Sequence, residues 1–262
     1  MTLYIEKPWT YQAPTDLLAD RIILVTGAGA GIGRQAALRF AAAGATVILL
    51  GRTIARLEQV YDDIEARGGP QPAIYPLNLE GASVTDYQDL ARTVEQEFGL
   101  LHGLLHNAAA FDGLMPIEQH DFEAWMRIMQ VNVNGPFLLT QALLPLLRCA
   151  PDASVIFTSS GVGRRARAYW GAYAVSKFGV EGLTQVLADE LETNTAIRVN
   201  AINPGATRTS MRALAYPAED PARLPEPEAL MPAYLYLMGS DSIGITGQSL
   251  DAQPPKAPQG SA

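Results

Sequence analysis

Three features of the chain predict an α/β fold: short apolar runs of strand length, amphipathic stretches of helix length between them, and a glycine-rich turn joining the first run to the first helix. Together they describe one domain with a doubly wound, mostly parallel sheet of seven strands flanked by helices. The 262 residues, 48% of them hydrophobic, suffice to bury the core of such a domain.

Residues 1–20, with Pro8 and Pro14 among mixed neighbours, read as an N-terminal arm packed on the surface. The domain proper is expected over residues 21–252. Its first strand, Arg21–Thr26, is a continuous apolar run of the kind buried on both faces of a parallel sheet. A helix leaves the turn Gly27–Gly33 and stops at Gly44, and a second strand at 46–50 completes a βαβ unit with a right-handed crossover. The order repeats with helix Thr53–Arg67, strand Ala73–Leu79, helix Val84–Phe98 and strand Leu101–His106. A long helix over Phe122–Cys149 is expected to be interrupted or bent near Gly135 and Pro136. Strand 154–159, helix Gly171–Leu191 and strand 197–203 follow. The stretch Thr207–Pro232, rich in proline and charge, reads as a mobile loop with short helical pieces. A helix at Ala229–Met238 and a strand at Gln248–Asp251 close the domain, and residues 253–262 read as a flexible tail.

Composition narrows the function classes. The formal charge of −8 argues against nucleic acid, which calls for a basic stripe. Cys149 is the only cysteine, so no intramolecular disulfide forms. No run reaches the ~18 apolar residues of a membrane span, and the first ten residues lack the pattern of a signal peptide. The expectation is a cytoplasmic protein with a small-molecule partner and no membrane association. His102, His106 and His120 have no metal-ligand spacing, so no metal is expected.

The turn Gly27–Gly33, with Gly29, Gly31 and Ile32 inside it, follows a buried strand and opens onto a helix. Backbone amides there meet a pyrophosphate with the positive end of the helix dipole, which marks a dinucleotide site and hence a Rossmann fold. An acid at the end of the second strand would bind the adenosine ribose 2′-hydroxyl, but no Asp or Glu occurs between Asp20 and Glu58. Arg52 directly follows that strand. NADP is therefore expected, with NAD as the alternative and Arg52, assisted by Arg34, on the 2′-phosphate; solvated surface arginines are the plainer reading.

The stretch Thr158–Lys177 supplies the reactive groups. On one helix, Tyr173 and Lys177 at i,i+4 share a face, and Ser160 arrives from the preceding strand end. A neighbouring cation is expected to lower the Tyr173 pKa toward neutrality, as proton exchange with a carbonyl oxygen requires. Singly, Ser160 also reads as a helix cap and Tyr173 as an interfacial aromatic; it is the combination that points to chemistry. Lys177 is the one lysine outside the terminal segments, which hold Lys7 and Lys256. Arg164, Arg165 and Arg167 lie between the reactive residues, where they would receive an anionic substrate or simply face solvent.

These residues resemble the short-chain dehydrogenase/reductase family and, within it, the YciK-like oxidoreductases of Gram-negative bacteria. Thr26, Gly27, Gly31 and Gly33 match T-G-x-x-x-G-x-G, and Tyr173 and Lys177 match Y-x-x-x-K, with Ser160 thirteen residues before the tyrosine. The resemblance implies an NADP(H)-dependent oxidoreductase acting on a carbonyl or secondary alcohol. It assigns Tyr173 as general acid/base, Ser160 as the group polarising the substrate oxygen, Lys177 on the nicotinamide ribose, and Asn132 in a proton relay. It adds Asn78, Leu79, Asn107, Ala108, Pro204, Gly205 and Thr209 to the cofactor contacts, and implies a homodimer or homotetramer paired through helices 122–149 and 171–191. Two positions depart from the pattern: His106-Asn107-Ala108-Ala109 stands for N-N-A-G, and Asn78 stands for an aspartate. A catalytically silent dinucleotide-binding sensor or scaffold is the alternative function.

Overall fold

Alternate residues of the central strands feed two separate apolar cores, one on each face of the sheet. The computed structural model describes residues 7–255. In chain order its elements are β1 (Ile22–Thr26), α1 (Gly31–Ala42), β2 (Thr46–Gly51), α2 (Ile54–Ala66), β3 (Ala73–Pro76), α3 (Val84–Phe98), β4 (Gly103–His106), α4 (Phe122–Met129) and α5 (Gly135–Cys149). They continue as β5 (Ala153–Thr158), α6 (Gly161–Arg164), α7 (Gly171–Glu192), β6 (Ile197–Asn203), α8 (Ser210–Ala215), α9 (Met231–Met238) and β7 (Ser249–Asp251). Ile23, Val25, Val47 and Leu49 join α1, α2 and α9 in one core, whereas Leu24, Ile48, Leu50 and Val155 join α3, α5 and α7 in the other. A strand buried on both faces has no polar side to show, which is why these runs are continuously apolar.

The seven strands are all parallel, in the order β3-β2-β1-β4-β5-β6-β7. The direction of winding reverses between β1 and β4, which opens a crevice at the carboxyl ends of those two strands. The functional groups discussed below gather there.

Two stretches differ from expectation, and the long helix is interrupted near Gly135 as expected: Gln130–Asn134 form a π-helical turn between α4 and α5. Pro136, in the first turn of α5, has no N–H to return to the Asn132 carbonyl four residues back, so the regular α ladder is interrupted there. The stretch 207–232 is tied down by two arginines. Arg208 donates to the carbonyls of Pro221 (2.8 Å) and Leu224 (3.4 Å) and pairs with Glu226, and Arg212 is bidentate to Glu219 at 2.6 and 2.7 Å. In the described part of the arm, Leu18 is fully buried in the first core rather than lying on the surface. Residues 1–6 of the expected arm and 256–262 of the expected tail lie outside the described residues.

At the opposite, amino-terminal end of the sheet, Asp152 accepts from both Arg21 and Arg198. Arg198 is almost fully buried, and its guanidinium also donates to the Gly239 carbonyl at 3.0 Å. Burial pushes the Asp152 carboxyl up, but the hydrogen bonds and charges of Arg21 and Arg198 together outweigh it and hold it below the usual carboxylate range. A depressed folded-state pKa means stability that is fully present above the unfolded value near ~4 and is lost as pH falls through the folded value. Asp152→Asn, which leaves two cations facing each other, is expected to cost about 3 kcal/mol in urea unfolding at pH 7. The difference from the parent chain should shrink below about pH 4, where the parent carboxyl also takes its proton.

Candidate functional site

A cleft of about 640 Å³ runs along the carboxyl ends of the strands, lined by the turn after β1, the end of β2 and the loops after β3 to β6. The turn after β1 forms one wall. Gly27 has φ +67°, and a Cβ there would lie 3.0 Å from the Ala108 Cα. A methyl on Gly33 would overlap the Gly27 carbonyl oxygen, so α1 packs against the strand end at a distance only glycine permits. Ala30 occupies the N-cap of α1 and offers no side-chain acceptor, in contrast to Ser83 on α3 and Asp121 on α4. The leading amides of α1 therefore face the cleft without a cap, as an anion requires. On this ground a dinucleotide pyrophosphate fits the residues present.

Of the predicted cofactor contacts, Gly27, Gly29, Gly31, Ile32, Arg52, Asn78, Leu79, Asn107, Ala108, Tyr173, Lys177, Pro204, Gly205 and Thr209 line this cleft. Thr26 and Gly33 do not line it and stand behind the wall. Thr26 is buried, and its hydroxyl accepts from the amides of Asn107 (2.9 Å) and Ala108 (3.0 Å) while donating to the Leu105 carbonyl (3.3 Å). It joins the ends of β1 and β4. Arg34 pairs with Asp63 at 2.5 Å and is not among the residues lining the cleft. Arg56 does line it, one turn beyond Arg52 at the exposed start of α2. The i,i+4 interval between the two arginines was the available signal. Asn78 is exposed, and its side-chain oxygen accepts from the Glu80 amide (3.3 Å), closing the turn after β3.

The reactive residues converge from two elements. Ser160 follows β5 and caps α6, accepting from the Val162 amide at 3.4 Å, so the plainer reading of this serine is present as well. Tyr173 and Lys177 sit on α7, 7% and 3% exposed, and both line the cleft. Burial pushes the Tyr173 phenol up to about 12, against a weaker pull downward from its hydrogen bond with Ser160. Burial likewise pushes Lys177 down to about 8, opposed by the charge of Glu181. The Lys177 ammonium donates to the Thr158 carbonyl (2.7 Å) and lies 5.5 Å from the Tyr173 ring centre. The expectation that Lys177 lowers the Tyr173 pKa is therefore not met in this arrangement: removal of both groups from water dominates, and the tyrosine holds its proton at neutral pH.

Asn132 has its side-chain amide engaged within the protein. Its amide is spent on structure: Oδ1 accepts from the Ala110 amide (2.7 Å), and Nδ2 donates to the Ala110 carbonyl (3.0 Å) and to Ser176 Oγ (3.0 Å). Both donors are used, so the side chain clamps the loop after β4 and does not point a group at Lys177. His106, the departure just before that loop, is buried, bonds Thr140 Oγ1 at 2.8 Å and stacks on Phe157. Burial pushes it down to about 3, so it is neutral core rather than chemistry.

Above Tyr173 the cleft is aromatic. Phe111 and Trp170 stack at 5.4 Å, each within 5.6 Å of the Tyr173 ring, and Met211 packs beside them. Arg164 is not available to a ligand, since it binds Ser249, Asp251 and the Leu250 carbonyl of β7; Arg165 and Arg167 are exposed. Among the described residues no cluster of His, Cys, Asp or Glu has metal-binding geometry, and no helix is long and apolar enough to cross a membrane.

Comparison with known proteins follows this geometry. The family model for short chain dehydrogenases matches residues 21–220. The uncharacterized oxidoreductase YciK of Escherichia coli (strain K12) is 52% identical over 248 residues, covering 95% of this chain and 98% of that protein. A solved chain from Escherichia coli CFT073 complexed with NADPH is 52% identical, with a TM-score of 0.90, over 92% of this chain and 100% of its own. The solved E. coli yciK oxidoreductase superposes with a TM-score of 0.91 at 52% identity, over 94% of this chain and 100% of its own.

Proposed function

The chain belongs to the short-chain dehydrogenase family, and from that premise we propose that it is an NADP(H)-dependent oxidoreductase of carbonyl and secondary-alcohol substrates. The observation that carries this reading is the presence of Ser160, Tyr173 and Lys177 on the cleft that begins at the uncapped glycine turn of α1. The NADPH complex of a relative 52% identical to this chain supports the choice of cofactor. NADPH, when bound, supplies the hydride that a carbonyl carbon accepts, and NADP takes it back in the reverse direction.

The residues have distinct tasks in this mechanism. The amides of Gly29 to Ile32 hold the pyrophosphate, and Arg52 and Arg56 hold the 2′-phosphate. Tyr173, which keeps its proton at neutral pH, donates it to the substrate oxygen during reduction. Ser160 hydrogen-bonds the same oxygen and orients it. Lys177 replaces the proton lost by Tyr173 and holds a ribose hydroxyl. With the Asn132 amide occupied by Ala110, its backbone carbonyl, which lacks the α-helical donor that Pro136 would have been, is the atom left for the relay. The wall of Phe111, Trp170 and Met211 favours an apolar substituent on the substrate.

Exposed apolar side chains on α4, α5 and α7, namely Phe122, Met126, Phe137, Val175, Phe178 and Val186, support pairing of these helices with a second copy. Sedimentation velocity is expected to show a dimer or tetramer that Phe178→Glu dissociates; a parent chain that sediments as a monomer rules the pairing out.

Tyr173→Phe should lower kcat/KM for carbonyl reduction by about 10³-fold while leaving NADPH binding, followed by nucleotide fluorescence, unchanged. Retained turnover would assign the acid elsewhere, and absence of NADPH oxidation by the parent chain across a broad panel of carbonyls would favour a binding protein. Arg56→Ala and Arg52→Ala should each weaken NADPH about tenfold and leave NADH unaffected. Equal losses for both nucleotides would remove these arginines from the 2′-phosphate.

A further inference from the structure

Behind Lys177 the polar contacts converge on one buried carboxylate. Glu181 lies one turn beyond Lys177 on α7, so Tyr173, Lys177 and Glu181 recur at four-residue intervals along the face turned to the sheet. Glu181 Oε1 accepts from Ser159 Oγ (2.5 Å) and Ser249 Oγ (2.8 Å), and Arg164 Nε stands 3.7 Å away. These partners come from the end of β5, from β7 and from α6. Arg164 in turn binds Asp251 at 2.7 Å, and Asp251 accepts from Asn203 Nδ2 at 2.8 Å. A carboxylate so held, four residues along the helix from Lys177, cannot move without breaking contacts to three elements.

We propose that Glu181 is a positioning residue for the reaction, a fixed counter-charge that keeps the buried Lys177 ammonium protonated without itself touching substrate. The inference rests on the role given to Lys177 above. The physical need is plain: Lys177 is 3% exposed, and the one hydrogen bond seen for its ammonium goes to a neutral carbonyl, which does not balance the loss of water around a full charge. The charged and titratable groups around the pair are few. Tyr173 lies on the same helix, Arg164 comes from α6, Asp251 from β7, and Tyr234 reaches in from α9 to Thr158. β5 and the π-helical turn present only the neutral Thr158, Ser159 and Asn132. Arg164 therefore competes with Lys177 for the field of Glu181, while Asp251 partly neutralises Arg164. The two removals should act on Lys177 in opposite senses: removing Glu181 disfavours the charged lysine, and removing Arg164 favours it.

Lysine usage makes the charge state directly readable. The chain has three lysines, and substituting Lys7→Arg and Lys256→Arg leaves Lys177 as the single ¹³C-lysine signal. The Cε resonance is followed against pH in the folded protein without nucleotide. The expected midpoint falls by about one pH unit in Glu181→Gln and rises in Arg164→Met. Ser249→Ala, which removes the hydrogen bonds to Glu181 and from Arg164 but no charge, is expected to leave it in place. A midpoint that stays put or moves the same way in both charge variants overturns the proposal, as does a shift in Ser249→Ala as large as in Glu181→Gln. If Glu181→Gln does not fold, Arg164→Met decides alone, and an unchanged or lowered midpoint there is fatal. The titration uses neither cofactor nor turnover, so its outcome is independent of the Tyr173→Phe result.

Discussion

The site depends on one hydroxyl. Thr26 ends β1, and its Oγ1 accepts two successive backbone amides from the loop after β4 while donating to the carbonyl that precedes them. The two strands are adjacent in the sheet but far apart in sequence, and they part company where the winding reverses. Without this clasp the amides of Asn107 and Ala108 would be left at the crevice with no acceptor. With it, the glycine turn and the loop after β4 form one rigid corner, and Gly27 and Gly33 let α1 close on that corner to the limit of contact. Asn132 then holds the far end of the same loop through Ala110. The nucleotide wall and the reactive wall are thus braced by a common piece of backbone.

Burial decides the electrostatics of the reactive pair. A phenol and an ammonium four residues apart would, in water, be expected to help each other ionise. Removed from water, each is pushed toward its neutral form: the phenol up, the ammonium down. A tyrosine that retains its proton suits donation to a carbonyl oxygen. A lysine brought close to neutrality needs a counter-charge to stay a cation, and the buried carboxylate of Glu181 lies within one helical turn.

The fold was largely legible because both of its signals are local. Continuous apolar runs such as Ile22–Thr26 mark doubly covered strands, and the glycine turn marks where the first one ends. Tyr173, Lys177 and Ser160 were legible for the same reason, since their spacing fixes their relation on one strand-turn-helix unit. What was not legible concerns partners distant in sequence. Nothing near Arg34 announces Asp63, and nothing near Asn132 announces that Ala110, in a loop across the cleft, will take up its amide. Thr26 matched a motif, but whether a motif residue meets the ligand or braces the wall depends on the strand placed beside it. Glu181 and Arg56 were within reach, because each stands four residues past a residue already singled out.

The wide turn at Gln130–Asn134 also acts as a phase shifter. Adjacent α-helical residues are separated by about 100° around the axis, so one residue accommodated in a single wide turn rotates all that precedes it relative to all that follows. Deleting one residue there would rotate α4 relative to α5 by about 100°, and Phe122 and Met126 could then no longer face outward while Gly135 and Leu139 face the core. The angular offset between the outer surface of α4 and the buried surface of α5 is written into that turn, and with it the alignment of any assembly face to the crevice.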